Sequence, residues 1–436
     1  MSMNALTPRA RLRLATPLWP VVTALLLLLQ LFWPARAWMT LLLILGGGWL
    51  VGFFWAHSLQ RSLLLRREMR YGWAQVGDRL EERFTVFNPG WAPALWLEIE
   101  DHSTLPHYQA GRVTAVWGRT QTVWKVEQVC TRRGLYTLGP ATLHAADPLG
   151  IYAVEVRAPE TLALLVLPPV FPLPAVTIAP GGQAGEGRRA RRSALESTVS
   201  VETVREYVAG DPLKAIHWPT SARREALYVR QFDHTPASDW WIFLDLEAAV
   251  QAGSGDDSTT EHGIILAASL ADLGLRRGHP VGLVTCGQEL VWLPPACHSG
   301  QLLSILRALA VLQNGQESLS ALLKQAQPSL QRGASVILIT PNVTADWLAP
   351  LTRLLRASIA PSVFLLDPRS FGGEADASGA MALLHDYQIA CTLVRRELLN
   401  RFPAPGQEGQ WEWRIVGPGK AVPVRKPRDT GWRKLG

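Results

Sequence analysis

The chain lacks the short motifs that mark most catalytic sites. It has no G-x-x-x-x-G-K-[ST] phosphate loop, no G-x-G-x-x-G after a strand, no H-E-x-x-H and no G-x-S-x-G elbow. Charged residues make up only 18% against 48% hydrophobic residues, which is rich in apolar residues for a fully soluble protein. The four cysteines show neither C-x-x-C nor metal-ligand spacing, a pattern typical of a reducing compartment: Cys130, Cys286, Cys297 and Cys391. These absences argue against nucleotide-dependent, zinc-dependent and serine-hydrolase chemistry.

Two long apolar runs stand near the N-terminus. Residues 18–33 form an uncharged run of 16 residues and residues 37–56 one of 20. Because about 20 helical residues cross the hydrocarbon core of a bilayer, the second run is long enough and the first needs flanking residues. Pro34-Ala35-Arg36 between them indicates a tight turn. The sequence therefore predicts a two-helix transmembrane hairpin within residues 1–70. The alternative is a cleaved signal peptide, since Ala35-Arg36-Ala37 resembles an A-x-A site.

The charges that flank the hairpin predict its orientation. Arginines precede it at positions 9, 11 and 13 and follow it at 61, 66, 67 and 70, whereas Arg36 alone lies between the runs. Under the positive-inside rule, both ends of the hairpin and the large C-terminal part are expected in the cytoplasm. The C-terminal part stays there under the signal-peptide alternative as well.

Residues 71–179 have a period of two. In 80–86, 95–99 and 124–126 apolar side chains alternate with polar ones, and Asn-Pro-Gly, Trp-Gly and Arg-Gly turns separate such segments. This pattern predicts an antiparallel β-sandwich, which we interpret as a rigid spacer or docking module. Glycines in 133–140, RGLYTLGP, and in 147–152, DPLGIY, are expected to serve turn geometry.

A Gly- and Arg-rich linker, residues 180–198, separates this unit from the next. Four of its arginines are candidates for contact with anionic lipid: Arg188, Arg189, Arg191 and Arg192. The alternative is that the linker is a solvated loop. From 199 to 416, apolar strands such as 240–245 and 335–340 alternate with helices, which predicts a mostly parallel α/β sheet with helices on both faces. Residues 417–436 form a basic tail. The net charge of +7 is modest and no basic motif interleaved with aromatic residues occurs, so nucleic acid is not an expected partner.

One stretch, residues 204–232, combines a Gly-Asp-Pro turn, a Trp and a Ser-Ala-Arg-Arg run: VREYVAGDPLKAIHWPTSARREALYVRQF. It resembles the signature of a bacterial membrane-associated family, domain-of-unknown-function family 58. The matching positions are Arg205, Tyr207, Gly210, Asp211, Ile216, Trp218, Ser221, Ala222, Arg223, Leu227 and Val229. The departures are Lys214-Ala215, where the family usually carries an arginine, and Pro219, where it often carries a lysine. The motifs RGLYTLGP and DPLGIY resemble two further patterns of this family.

The resemblance implies a partner as well as a location. Members of this family are associated with AAA+ ATPases of the MoxR type. Together with the charge bias, the resemblance implies a multi-pass protein of the bacterial inner membrane with both termini in the cytoplasm.

The α/β half resembles a von Willebrand factor A domain, a Rossmann-type fold. That fold often holds Mg²⁺ through an Asp-x-Ser-x-Ser loop, a distant Thr and a distant Asp. Here the loop reads Asp245-Leu-Glu247-Ala-Ala249, the distant Thr falls near Glu317, and the later Thr-Asp-Gly becomes Thr340-Pro341-Asn342. Because a hard cation requires several oxygen ligands, we expect no metal or other cofactor. Asp245 and Glu247 are interpreted as a degenerate remnant of the site.

The candidate partner-binding residues belong to the signature stretch: Asp211, His217, Trp218, Ser221, Arg223 and Arg224. Trp218 and Asp211 are expected to be structural, with Trp218 and His217 packed under the α/β unit. Arg223 and Arg224 are expected at a surface for an acidic partner, or else in ion pairs with acids such as Asp211 or Glu206. Asp211, His217 and Ser221 contain the letters of a hydrolase triad, but triads assemble from separate chain segments.

The sequence thus predicts a membrane-anchored, cytoplasm-facing protein-interaction protein without enzymatic activity. One alternative is an enzyme of cell-envelope or peptide metabolism with its site around residues 211–224. The other is a purely structural membrane scaffold.

Overall fold

A computed structural model describes most of the chain: residues 9–69, 71–173, 176, 178–180, 203–207, 218–224, 226–231, 238–399 and three short strands at 411–415, 421–425 and 433–434. Two of the predicted site residues, Asp211 and His217, lie outside these described residues. The same holds for the predicted lipid-contacting arginines at 188–192.

The N-terminal region is a strand, two helices and a strand: β1 (Arg9–Leu14), α1 (Leu18–Phe32), α2 (Arg36–Ser62) and β2 (Leu64–Met69). The two helices pack against each other across the predicted turn. Among the described residues, α2 alone is long and apolar enough to cross a membrane, while α1 is apolar but shorter. The helix lengths thus support one span by this criterion, where the sequence predicts two.

The β-rich unit is built from nine further strands: β3 (Trp73–Gln75), β4 (Arg79–Asn88), β5 (Ala94–Asp101), β6 (Arg112–Val116), β7 (Thr120–Val129), β8 (Gly134–Leu138), β9 (Ala141–Ala146), β10 (Tyr152–Ala158) and β11 (Leu162–Leu167). One sheet has the order β1-β10-β9-β5-β6, a second contains β2-β4-β7, and a small third sheet is β3-β11-β8. All pairings are antiparallel except β3 with β11. The predicted antiparallel strands are therefore present, and the sheets also take in β1 and β2 from outside residues 71–179.

The two larger sheets enclose a common core because their strands alternate apolar and polar side chains. Phe84 of β4 faces Trp124 of β7 across the register, with ring centroids 5.3 Å apart. Leu97, Leu143 and Val154 fill the core from the opposite sheet. The C-terminal part of α2 enters the same core through buried residues including Ala56 and Leu59. This packing extends α2 beyond the predicted run of residues 37–56.

The chain then crosses to the α/β unit. Leu167 is part of the α/β core, and Phe171 and Ile178 pack against it. The Phe171 amide donates to Ser269 Oγ at 3.0 Å and the Ala179 amide to Ser362 Oγ at 2.9 Å. By its contacts, the last part of the range predicted as sandwich therefore belongs to the α/β unit.

The signature stretch and the α/β unit supply the remaining elements: β12 (Thr203–Glu206), α3 (Trp218–Arg224), β13 (Tyr228–Gln231), β14 (Trp240–Leu244), α4 (Thr259–Arg276), β15 (Val281–Cys286), β16 (Leu290–Ala296), α5 (Gln301–Val311), α6 (Leu319–Ala326), β17 (Ser335–Thr340), α7 (Leu348–Arg356), β18 (Ala360–Leu366), α8 (Ser378–Asp386), β19 (Ala390–Val394) and α9 (Arg396–Leu399). Beyond them, β20 (Trp411–Ile415) pairs with β21 (Ala421–Arg425), and β22 (Arg433–Lys434) pairs with β2.

The main α/β sheet has six strands in the order β16-β15-β14-β17-β18-β19. All pairs are parallel except β15 with β16. Helices α4 and α5 cover one face, and α6, α7 and α8 the other, which confirms the predicted mixed α/β class. The chain leaves β14 toward β15 and later returns to its other side as β17. The strand order therefore reverses at β14, where open α/β sheets form their ligand crevice.

Candidate interaction surfaces

The described part of the signature stretch is a small strand–helix–strand unit. β12 pairs antiparallel with β13, with Arg205 opposite Val229. Ser221 of α3 is buried, and its hydroxyl accepts from the Tyr228 amide at 2.8 Å. Tyr228 is buried too, and its hydroxyl donates to Glu206 Oε1 at 3.3 Å. Ser221 therefore joins the helix to the following strand instead of presenting a free hydroxyl.

The exposed side of this unit carries the aromatic and basic residues. Trp218 is 66% exposed, so the expectation that it packs under the α/β unit is wrong: it stands in the first turn of a seven-residue helix and faces solvent. Arg223 and Arg224 are also exposed. The Arg224 guanidinium lies 5.4 Å from the ring centroid of Tyr228. No carboxylate among the described residues pairs with either arginine, and their role in partner binding stays a prediction.

A second candidate surface lies at the carboxyl ends of β14 and β17. Asp245 follows β14 and is 3% exposed. Its Oδ2 accepts from Thr340 Oγ1 at 2.6 Å, and its Oδ1 accepts from the Glu247 amide at 3.1 Å. The resemblance assigned Asp245 and Thr340 to two loops of one degenerate metal site, and the parallel pairing of β14 with β17 brings the two residues into contact. We call this place the strand-end edge.

The strand-end edge is acidic. Burial raises the pKa of Asp245 to about 6, against a smaller lowering by the Thr340 hydrogen bond. Burial also raises the pKa of Glu247, and the nearby carboxylates of Asp346 and Glu317 add to that rise. Among the described residues no arginine or lysine forms an ion pair with Asp245. A buried carboxylate without a cation destabilises the fold at neutral pH, which makes Asp245 a candidate functional residue.

The loop after β17 completes this edge. Asn342 is buried; its amide nitrogen Nδ2 donates to Asp346 Oδ1 at 3.1 Å, and its Oδ1 accepts from the Thr344 amide at 2.8 Å. Ala345 adopts a φ of 60°, a left-handed backbone conformation that is unfavourable for a residue with a Cβ. The loop that presents the Asp346 carboxylate is thus held in a strained shape.

The residues of the edge do not form a full oxygen cage for a metal. In the part of the chain that the structure describes, no three His, Cys, Asp or Glu side chains converge. Both oxygens of Asp245 are already engaged by protein donors, and Ala249 stands where the resemblance would require a serine. The absence of metal binding stays a prediction that calorimetry can test.

A junction between the two units, centred on Arg133, was not predicted from the sequence. Arg133, the first residue of RGLYTLGP, makes a bidentate pair with Glu261, at 3.0 Å from Nε and 2.7 Å from Nη2. Its Nη1 also donates to three carbonyls at the end of α5: Leu309, Ala310 and Leu312. Positive charge at a helix C-terminus is favourable because the last carbonyls lack helical donors. Arg133 therefore links the β-rich unit to two helices of the α/β unit.

The junction adjoins the strand-end edge through the start of α4. Glu261 is the third residue of α4, and its amide donates to the N-cap Ser258 at 3.2 Å, which is half of a capping box. The preceding residue, Thr260, donates to Gln251 Oε1 at 3.2 Å, and Gln251 Nε2 donates to the Asp245 carbonyl at 3.1 Å. In the sequence, the Ser-x-x-Glu spacing at 258–261 is the pattern that could have predicted the start of α4 at this place.

A further missed feature is a buried ion cluster in the β-rich unit. Arg67, counted in the sequence as a flanking charge of the hairpin, is 3% exposed. Its Nε and Nη2 contact Glu82 at 3.1 and 3.0 Å, and its Nη1 contacts Asp101 at 2.8 Å. Tyr108 donates a further hydrogen bond to Glu82. In the fold Arg67 therefore acts as an internal charge and not as part of a surface patch.

Comparison with known proteins matches the signature stretch and much of the α/β unit. The family described as "Protein of unknown function DUF58" matches residues 203–371. An uncharacterized protein of Mycobacterium tuberculosis, Rv1480, is 23% identical over 171 residues, which are 38% of this chain and 54% of the relative. The chain thus spans about half the length of this relative. The uncharacterized protein YeaD of Bacillus subtilis is 23% identical over 300 residues, 66% of this chain and 72% of YeaD.

Solved structures give weaker likenesses. The SpRpn10 VWA domain is 16% identical and covers 39% of this chain and 97% of its own, with a TM-score of 0.27. A CARDB domain from Pyrococcus furiosus is 14% identical and covers 24% of this chain and 90% of its own, with a TM-score of 0.19. At TM-scores this low, neither likeness carries an argument about the fold or the site of this chain.

Proposed function

We propose that the protein is a membrane-anchored adaptor that holds an α/β interaction unit at the cytoplasmic face of a membrane. The hairpin of α1 and α2 is the anchor, the β-rich unit is the rigid base, and the α/β unit binds a protein partner. The MoxR-type AAA+ ATPase implied by the family resemblance is the partner that we propose to test first.

The observation that carries the proposal is how the hairpin is attached. Its outer faces are apolar and exposed, as at Leu31, Phe32, Leu43 and Ile44, and exposed apolar surface of this extent requires a partner or a membrane. Its two ends continue directly into β1 and β2, which belong to the two larger sheets of one β-rich unit. Both ends therefore lie on one side of any membrane that the hairpin enters.

The route from anchor to partner is also supported by contacts. Asp147 of DPLGIY accepts from the Leu149 and Tyr152 amides at 3.0 and 2.6 Å, and this turn packs against Gly52 of α2. At its other end the β-rich unit holds the α/β unit through Arg133. The two family motifs of the β-rich unit thus sit at its two junctions, which suits a spacer that fixes orientation.

Topology is the first test. A fluorescent reporter fused after Gly436 is expected to be active in the cytoplasm. An Ala35→Cys variant in the hairpin turn is expected to react with a membrane-impermeant maleimide added outside. Cys297, exposed in the α/β unit, is the internal control and should react only after permeabilisation. An externally reactive Cys297 would overturn the orientation, and an unreactive turn would mean that the hairpin does not cross.

Partner binding is the second test. We expect the full-length protein, purified in mild detergent, to retain a MoxR-type ATPase through washing. Recovery of no protein partner, with an intact fold, would favour the structural-scaffold alternative.

Calorimetry with Mg²⁺ is expected to show no saturable heat, whereas an isotherm abolished by Asp245→Ala would establish a metal-dependent site at the strand-end edge.

A further inference from the structure

The hairpin is shorter than a bilayer if it is counted only where it stands free of the β-rich unit. Leu149 reaches α2 at Gly48, where a Cβ would lie 3.3 Å from Leu149 Cδ1, and Trp19 of α1 stands at the same level. From Arg36 in the turn to Gly48 the helical rise amounts to about 18 Å. The hydrocarbon core is about 30 Å thick. The free hairpin therefore falls short by about 12 Å.

The C-terminal part of α2, which lies beside two loops of the β-rich unit, provides the remaining length needed to cross the hydrocarbon core. Trp55 donates its indole Nε1 to the Pro93 carbonyl at 3.0 Å, and its ring centroid lies 5.5 Å from that of Trp91. From Arg36 to Trp55 the helical rise is about 28 Å, close to the hydrocarbon thickness. A hairpin that crosses the bilayer thus brings Trp55, and with it Trp91, to the near boundary.

The loops at this level carry the side chains expected of such a boundary. The Arg119 amide donates to the Gly90 carbonyl at 2.9 Å, so the 117–119 turn lies against the 90–91 loop. Trp117 is 66% and Trp91 55% exposed. Indole rings favour the headgroup region, where the ring meets apolar chains and its N–H meets water. We define the collar as Phe54, Arg61, Trp91, Trp117 and Arg119. Leu149, level with Gly48, lies about 10 Å deeper by the helical rise from Gly48 to Trp55.

Between α2 and the 89–91 loop, the collar surrounds a shallow groove of about 430 Å³. Phe54 and Trp91 line its apolar part, and His57, Ser58 and Arg61 its polar part. An arginine beside hydroxyl groups suits a phosphate, and the aromatic side chains suit the start of an acyl chain. Arg61 and Arg119 are exposed and add positive charge that an anionic headgroup would complement.

We propose that the collar is seated in the headgroup layer of the near leaflet and that its groove holds a phospholipid phosphate. The β-rich unit is then a part of the membrane anchor and not a spacer held clear of the lipid. This inference rests on the proposed function, since it requires that the hairpin enters the bilayer. It adds that loops of the β-rich unit enter the near leaflet beside the lower part of α2.

The test is spin-label depth measurement on the full-length protein in vesicles of phosphatidylethanolamine and phosphatidylglycerol. Labels are placed by Trp117→Cys and Leu149→Cys in a Cys297→Ser background, and the signal of that background is subtracted. Leu43→Cys, near the middle of the free part of α2 between Arg36 and Gly48, marks the hairpin. Leu135→Cys is the matched water-facing control, because Leu135 is 63% exposed and lies beside the junction at Arg133.

The expected result is a ratio of oxygen to nickel-chelate collisions at position 117 that lies between those at 135 and 43. At position 149, which lies deeper, the ratio should be close to that at 43. If position 43 is lipid-like while 117 and 149 match 135, the anchor stands and the collar proposal is overturned. If position 43 is also water-like, the membrane anchor itself fails. Either position 117 or position 149 alone suffices should the other variant misfold.

Discussion

Two buried carboxylate sites, one in each unit, are treated differently by the fold. In the β-rich unit, Glu82 and Asp101 share Arg67, with contacts of 3.0 and 2.8 Å. In the α/β unit, Asp245 has hydroxyl and amide donors but no cation among the described residues. Burial raises the pKa of Glu82 and of Asp245, but at Glu82 the charge and hydrogen bonds of Arg67 oppose the rise.

The difference separates an internal structural cluster from a candidate functional site. At Glu82 the cation offsets burial only in part, since the pKa stays raised, but the partners of this cluster are all internal and account for it. An uncompensated carboxylate at a strand-order reversal opposes folding at neutral pH, and such sites are found where function requires them. The same reasoning distinguishes Arg133, whose partners are internal, from Arg223 and Arg224, which face solvent.

The largest expected effect is at the compensated cluster. Arg67→Ala leaves Glu82 and Asp101 buried without their cation, and breaking such a pair costs about 3–5 kcal/mol. Chemical unfolding followed by tryptophan fluorescence measures the loss. Arg79→Ala is the control, because its pair with Glu127 is half exposed and is worth less than about 1 kcal/mol. Equal losses in the two variants would show that Arg67 does not compensate the buried acids.

Removing the charge of Asp245 should stabilise the fold, whereas removing the charge of Arg67 should destabilise it. Its folded pKa of about 6 exceeds the ordinary value of 3.8. Wild-type stability should therefore be fully present below about pH 4 and be lost as the pH rises through about 6. Asp245→Asn removes that loss, so the variant should gain on wild type by up to about 3 kcal/mol between those pH values.

Melting temperatures recorded across this pH range test the effect at Asp245. Glu289→Gln, which removes an exposed carboxylate of the same unit, is the control and should run parallel to wild type. An Asp245→Asn curve parallel to wild type would show that burial does not raise the pKa of Asp245 in the folded protein.

A smaller effect is expected at the junction. Arg133→Ala removes a charged donor from Glu261 and from three α5 carbonyls, which is worth about 1–3 kcal/mol. A double-mutant cycle with Glu261→Ala should give a coupling free energy of at least about 0.5 kcal/mol. Arg132→Ala is the matched control, since its pair with Asp256 is exposed. Additive losses would show that Arg133 and Glu261 do not act as a pair.

The smallest stability effect is expected at the signature surface. Arg223→Glu combined with Arg224→Glu loses the contact of Arg224 with Tyr228, worth about 0.5–1 kcal/mol at an exposed site. Charge reversal should nevertheless reduce recovery of an acidic partner. Arg307→Glu with Arg332→Glu, two other exposed arginines of the α/β unit, makes the same change of charge elsewhere. Full partner recovery by the first variant would point to the strand-end edge instead.

The sequence by itself determined the class of each unit. Two uncharged apolar runs predicted α1 and α2, alternation predicted the strands around 80–86 and 124–126, and β17 matches the predicted range of 335–340. These signals are local, because the periods of helix and strand are written in neighbouring residues. β16 escaped prediction since Pro294 and Pro295 disfavour a strand, although a sheet edge tolerates them. The alternation in RARLRL at 9–14 was visible but was interpreted only as charge.

What only the tertiary structure decided is the contacts that distant residues make. The resemblance had already aligned Asp245 and Thr340 with one degenerate site, but the hydrogen bond between them, across 95 residues, forms because β14 and β17 are parallel neighbours. In the sequence, Arg67 counts as a flanking charge of the hairpin, but packing buries it. Trp218 was expected to be buried, but it is exposed. Arg133 donates hydrogen bonds to carbonyls at the C-terminal end of α5, which lie 176 to 179 residues away along the chain. Composition and period constrain a residue's neighbours along the chain, whereas burial and pairing depend on chain segments whose contact no local pattern encodes.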